Sequence, residues 1–248
     1  MAEHSALRNA PITEALIDIR IRIKEGFDVN RFLSLHEAIA DQYPGKKTRH
    51  KWEGRFELKR GEALVSSGTE AVDGYIFTST DEKQLFQARI DGFTFNRLRP
   101  YEKWDSFRDE AFRLWRLYRD LTSPEIIRVA LRYINKFDIP LFPHPLRDFN
   151  EYLTAAPIVP EELPQGVSSF LTRVVIHDPG IDAAAIITQA LEQIIDPKFL
   201  PIILDIDAFR QKEVFSEEEA WLTLEKLRHF KNRIFFASIT EKAKELFQ

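Results

Sequence analysis

Residues 15–23 alternate without a break. Ala15, Ile17, Ile19, Ile21 and Ile23 fall on one side, Asp18, Arg20 and Arg22 on the other. A period of two with one apolar side is the pattern of a strand in a sheet covered on one face only. It returns at residues 125–139, where Ile127, Val129, Leu131, Tyr133, Phe137 and Ile139 make the apolar side. Two such strands require helices with one apolar stripe, and the sequence holds two long ones. Pro100 opens the first, with Trp104, Phe107, Ala111, Leu114, Trp115 and Tyr118 at helical spacing. The second begins at the capping box Ser216 to Glu219 and carries Trp221, Leu224, Leu227 and Ile234.

The remaining elements fall between these. Asp28 or Asn30 caps a short helix bearing Phe32, Leu35, Ile39 and Tyr43, which Pro44-Gly45 stops. Residues 50–98 read as short strands broken at Arg60-Gly61, Gly68 and Thr80-Asp81. Asp91-Gly92 is a hairpin turn joining 84–90 to 93–98. A short helix is expected at 146–153, then strands near 168–177, 184–193 and 200–209. The alanine-rich stretch 184–193 suits a helix as well.

Each half, 1–123 and 124–248, thus reads strand, helix, strands, long helix, the two packed as one unit. A local echo accompanies this: Ile90-Asp-Gly-Phe93 precedes Trp104 much as Ile206-Asp-Ala-Phe209 precedes Trp221. The expected fold is α+β, two pseudo-repeated halves forming one largely antiparallel sheet with both long helices on one face. That element order resembles the saddle of the TATA-box-binding-protein fold, a likeness that carries no function.

Three segments carry a further likeness: Leu7 to Ile12 with Glu14-Ala15-Leu16, Phe95 to Leu98 with Pro100-Tyr101 and Trp104, and Leu131 to Asn135. Together they resemble a sporadically distributed prokaryotic family of similar length with no assigned function. The resemblance spans the chain and implies a regulatory or defence-associated role; it implies no catalytic residue.

Composition removes several classes of chemistry. With no cysteine there is no disulfide, thiolate nucleophile or cysteine metal site. A net charge of −4 and a pI near 5.9 weigh against non-specific nucleic-acid binding. The N-terminus lacks the apolar core of a secretory signal and no run is long enough to span a membrane, so a cytoplasmic protein is expected. The histidines are scattered, and no nucleophile elbow, phosphate loop or dinucleotide fingerprint is present. Neither metal nor cofactor is expected.

What chemistry remains is cationic. Arg128, Arg132 and Lys136 share one side of the second alternating strand, facing away from the helices. Arginine forks grip phosphate or carboxylate bidentately, so this row is a candidate anion site; alternatively Asp205 and Asp207 neutralise it from a neighbouring strand. Arg97 stands where a strand meets a helix N-terminus, a place that attracts anions, and Asn135 joins it if their strands are neighbours. The leading reading is a binding or interaction protein with a small anionic ligand and a protein partner or self-association, the aromatic helices being a candidate homodimer surface. The alternative is a metal- or phosphate-dependent enzyme acting on a nucleotide or nucleic acid through Asp205, Asp207 and Arg132.

Overall fold

A computed structural model describes residues 7, 9–59, 62–141 and 148–248, with the backbone alone for 52–59 and 62–70. The described strands are β1 (Ile12–Arg22), β2 (Gly45–Lys59), β3 (Glu62–Thr78), β4 (Gln84–Arg89), β5 (Gly92–Leu98), β6 (Glu125–Pro140), β7 (Leu171–Asp178), β8 (Ala183–Leu191) and β9 (Phe199–Phe215). They form one sheet in the order β2-β3-β4-β5-β1-β6-β9-β8-β7. Every neighbouring pair is antiparallel. The described helices are α1 (Leu33–Ile39), α2 (Trp104–Thr122), α3 (Glu217–Ser238) and α4 (Glu241–Glu245). None is long and apolar enough to cross a membrane.

Strand register carries one face across the sheet. Ile17 stands opposite Phe95 on one side and Leu131 on the other, and Tyr133 lies between Ala15 and Ile206. On this face α2 sets Phe107 against Phe95 and Trp115 against Phe93, with ring centroids 5.5 and 5.6 Å apart. α3 sets Lys231 against Tyr133, and His36 of α1 stacks on Phe77. All three therefore cover the same face. α2 and α3 are tied together by Trp104 Nε1 donating to Glu225 (2.7 Å), by Arg119 on Glu217 (2.8 Å) and by Phe112 edge-on to Trp221 (4.8 Å). These contacts occupy much of the aromatic helix surface.

Several expectations need correction. Gly68 breaks no strand: β2 and β3 form one long ribbon that continues past β4, since β3 pairs with β4 only from Gly74 to Thr78. The glycine falls instead in an irregularity of the β2–β3 pairing, where the register shifts between Glu53, opposite Thr69, and Arg55, opposite Ser66. The Arg60-Gly61 turn lies outside the described residues. In β6 a register shift between Ile126 and Arg128 turns Ile126, not Ile127, into the core. Residues 183–191 are strand, their small side chains lying against Phe209 and Ala208. Of the helix expected at 146–153, residues 146–147 lie outside the described residues, and the rest holds one 3-10 turn, Phe149–Glu151. α2 begins at Trp104, four residues beyond Pro100, and α3 runs unbroken past Asn232. The local echo is out of phase: Phe93 faces the helices, whereas Phe209 lies on the other face under Arg128, 4.4 Å from its guanidinium.

The Asp91-Gly92 turn does form. A Cβ on Gly92 would lie 2.7 Å from the Ile19 carbonyl oxygen, so only glycine lets the hairpin come this close to β1. Trp115 is wholly buried between Phe93 and Tyr118. Trp115→Ala is expected to cost about 3–5 kcal/mol, read as a lowered denaturant midpoint in chemical unfolding.

Candidate functional site

The uncovered face of the sheet is charged and internally paired. Asp18, 7% exposed, sits at its centre. It accepts from Arg89 Nη2 and Thr94 Oγ1 (both 2.8 Å), Arg20 Nε (3.1 Å) and Arg128 Nη1 (3.3 Å). Burial drives its pKa up, but the Arg89 and Arg20 charges and the hydrogen bonds outweigh that, so it lies below the usual 3.8. Arg128 reaches on to Asp207 (3.2 Å), Arg132 grips Asp205 through two hydrogen bonds (2.8 and 2.5 Å), and Lys136 pairs with Glu192. Asp207 has a raised pKa: its burial and the nearby Asp18 and Asp205 prevail over Arg128 and Arg132. The candidate row of Arg128, Arg132 and Lys136 is thus on one face, as expected, with a carboxylate on each member. Asp205 and Asp207 spend their lone pairs on the arginines, and among the described residues no group of three or more carboxylates or histidines stands together as metal ligands.

Arg97 and Asn135 are elsewhere. Both belong to the helix-covered face, and β1 separates their strands, so the two do not meet. Arg97 lines a pocket of about 300 Å³ with Asp81, Glu102 and Glu110, and its nearest charge is Glu102 at 3.6 Å. Three carboxylates make that pocket a poor anion site. Asn135 is buried and donates to the Leu204 carbonyl at 2.9 Å, satisfying a backbone group beside the core.

Asn135 also lines a second pocket, of about 350 Å³. The three segments singled out by the family resemblance meet here: Ala10, Pro11 and Ile12 before and within β1, Tyr101 and Trp104 at the start of α2, and Tyr133 and Asn135 of β6. α3 closes it with Arg228, Lys231 and Phe235. Sequence reading missed Lys231. It is 8% exposed, and its Nζ lies 3.5 Å from the Tyr133 ring centroid. Among the described residues no oxygen accepts from Nζ and no carboxylate pairs with it. Burial, then the Arg228 charge, push its pKa down to about 7. The ring face offsets part of that cost by attracting the ammonium.

In the same pocket the Tyr101 and Tyr133 hydroxyls share a hydrogen bond of 2.7 Å. Burial raises both phenols, Tyr101 to about 12. Arg228 stacks near Trp104 and stands 3.7 Å from Glu225, which already accepts from Trp104 and Arg108. The signal for Lys231 was present in the sequence: it occupies the stripe position between Leu227 and Ile234, where an apolar residue belongs. No family model matches the chain, and no curated protein matches its sequence.

Asp18→Ala leaves the buried Arg89 with the half-exposed Asp91, 3.2 Å away, as its remaining carboxylate and is expected to cost about 3 kcal/mol, measured by denaturant titration. Because the folded pKa of Asp18 is depressed, its contribution is complete above the unfolded value of 3.8 and fades as pH falls below it. Acid titration should therefore narrow the gap between wild type and Asp18→Ala.

Proposed function

We propose that this chain is a binding protein that takes a small anionic ligand in the pocket between the α2 start and α3. The observation that carries this is Lys231: a cation in the covered interior, beside Arg228, with no carboxylate set against it. An unpaired buried charge is costly, and a ligand anion supplies the missing counter-charge. The open-face row has its counter-charges already, which weighs against the ligand docking there. The division of the chain into two related halves belongs to the same reading. It is supported by β1 and β6 pairing centrally, with β5 and β9, the strands leading into α2 and α3, as their outer neighbours. The pocket then lies where the halves meet. A regulatory or defence-associated role stays with the family resemblance.

Lys231→Met removes the uncompensated charge and is expected to stabilise the protein at pH 7 by about 1–4 kcal/mol. The sign follows from the depressed pKa. Above pH 7 the folded chain sheds the proton while the unfolded chain keeps it up to 10.5, so wild type should gain stability across that window and approach the variant. Acetate, pyruvate or inorganic phosphate should raise the wild-type melting temperature and leave Lys231→Met unmoved. Equal responses of the two proteins to all three anions would remove the site.

Self-association is supported by a separate observation. β7 ends the described sheet, and Leu171, Val174 and Val175 on it are 72%, 54% and 45% exposed. An apolar edge strand offers its free backbone groups to another strand. Val174→Lys is expected to shift wild-type dimers to monomers in sedimentation velocity; a monomeric wild type would rule this interface out.

A further inference from the structure

We propose that Lys231 is the amine of a covalent carbonyl site: the pocket takes a short 2-oxo acid, its carboxylate facing Arg228 and its carbonyl carbon condensing with Lys231 Nζ. This rests on the reading of the pocket as an anion site and goes further in naming the ligand class and the bond formed.

The geometry supplies each requirement. Arg228 and Lys231 are three residues apart on α3, neighbours on one helix surface, about 5–6 Å between Cβ atoms. That spacing suits a molecule whose carboxylate and carbonyl carbons are directly bonded. Arg228 remains charged at every relevant pH and binds carboxylates through its planar fork. The attacking amine has to be uncharged. The charged and titratable groups that line the pocket with Lys231 are Arg228 from α3, Tyr133 from β6, and Tyr101, Glu102 and Lys103 from the segment before α2. Glu102, the carboxylate among them, has Arg97 3.6 Å away. Nothing therefore pins the proton on Nζ, and with a pKa of about 7 a large share is free base at neutral pH.

The reaction balances without an oxidant or reductant. The Nζ lone pair forms a bond to the carbonyl carbon while the oxygen takes a proton, giving a carbinolamine. The carbinolamine then loses that oxygen as water, the amine giving up its two protons overall, and a C=N bond remains. The tyrosine pair lines the same pocket and can serve this step. Both phenols stay protonated, and since one donates to the other, one hydroxyl proton is left unshared for the departing oxygen. An imine that is protonated keeps the positive charge over the Tyr133 ring face, where the ammonium sat before it.

The test uses the full chain with pyruvate and sodium borohydride, followed by peptide mass spectrometry. The expected result is one reduced adduct, on Lys231, forming half-maximally near pH 7. Arg228→Gln lets the Lys231 pKa rise and so slows labelling by acetone as well; with pyruvate the slowing should be about tenfold greater than with acetone, equivalent to about 1.4 kcal/mol for the lost carboxylate contact. Lactate, which has the carboxylate but no carbonyl, should raise the melting temperature without an adduct. If pyruvate and lactate shift the melting temperature alike and borohydride fixes nothing on Lys231, the imine is overturned and the anion site stands. If neither shifts it and no adduct forms, both readings fall. Adducts scattered over surface lysines with no preference for Lys231 also overturn the proposal.

Discussion

The antiparallel pairing of β1 with β6 sets the orientation of every strand outside it. Successive side chains in a strand point to opposite faces, so a slip of one residue would exchange the two faces of the sheet. The register that sets Ile17 against Leu131 and Ile19 against Val129 puts both apolar rows under the helices. The same register brings Arg128 within reach of Asp18 on the far side. Two independent demands, apolar burial on one face and charge pairing on the other, agree on one alignment. A slipped alignment would satisfy neither. The outer strands inherit their orientation from this pair through β5 and β9.

Charge pairing adds specificity more than net stability. Moving carboxylates and guanidinium groups out of water is expensive, and their attraction returns much of that cost only when the geometry is good. Asp18, with four donors around it, is such a case. Asp207 is less well served, and its raised pKa records the difference. On the helix-covered face the interior tolerates a lysine because an aromatic ring lies beneath it, an arrangement weaker than a carboxylate partner and one that leaves the amine open to something else.

Much of the fold was legible in the sequence, for physical reasons that also explain the failures. The alternation of β1 and β6 and the stripes of α2 and α3 are long, so their periods stand out. The Asp91-Gly92 turn carries its own chemistry. The β2–β3 ribbon was read in pieces because its glycines look like breaks to any local rule. The switch from Ile127 to Ile126 was hidden because a register shift depends on the partner strand. Arg128, Arg132 and Lys136 were legible as a row, and Asp205 and Asp207 as its counter-charges. Asn135 and Arg97 could not be placed relative to each other without the strand order. Lys231 was legible in principle, as the charged residue at a buried stripe position of α3, but a search for apolar periodicity passes over the residue that interrupts it.

The open face has a consequence for how such a sequence drifts. A side chain beneath α2 can be exchanged for another of similar volume, one position at a time, because packing asks only for shape. Arg132 and Asp205 cannot change that way: losing either strands the other's charge on a half-buried surface. Viable substitutions there come as coordinated doubles, charge reversal or joint replacement by neutral residues. Among descendants of one ancestor, the covered face should therefore show independent variation, and the open face correlated variation between β6 and β9, so that the strand order itself is written into the covariation of its charged pairs.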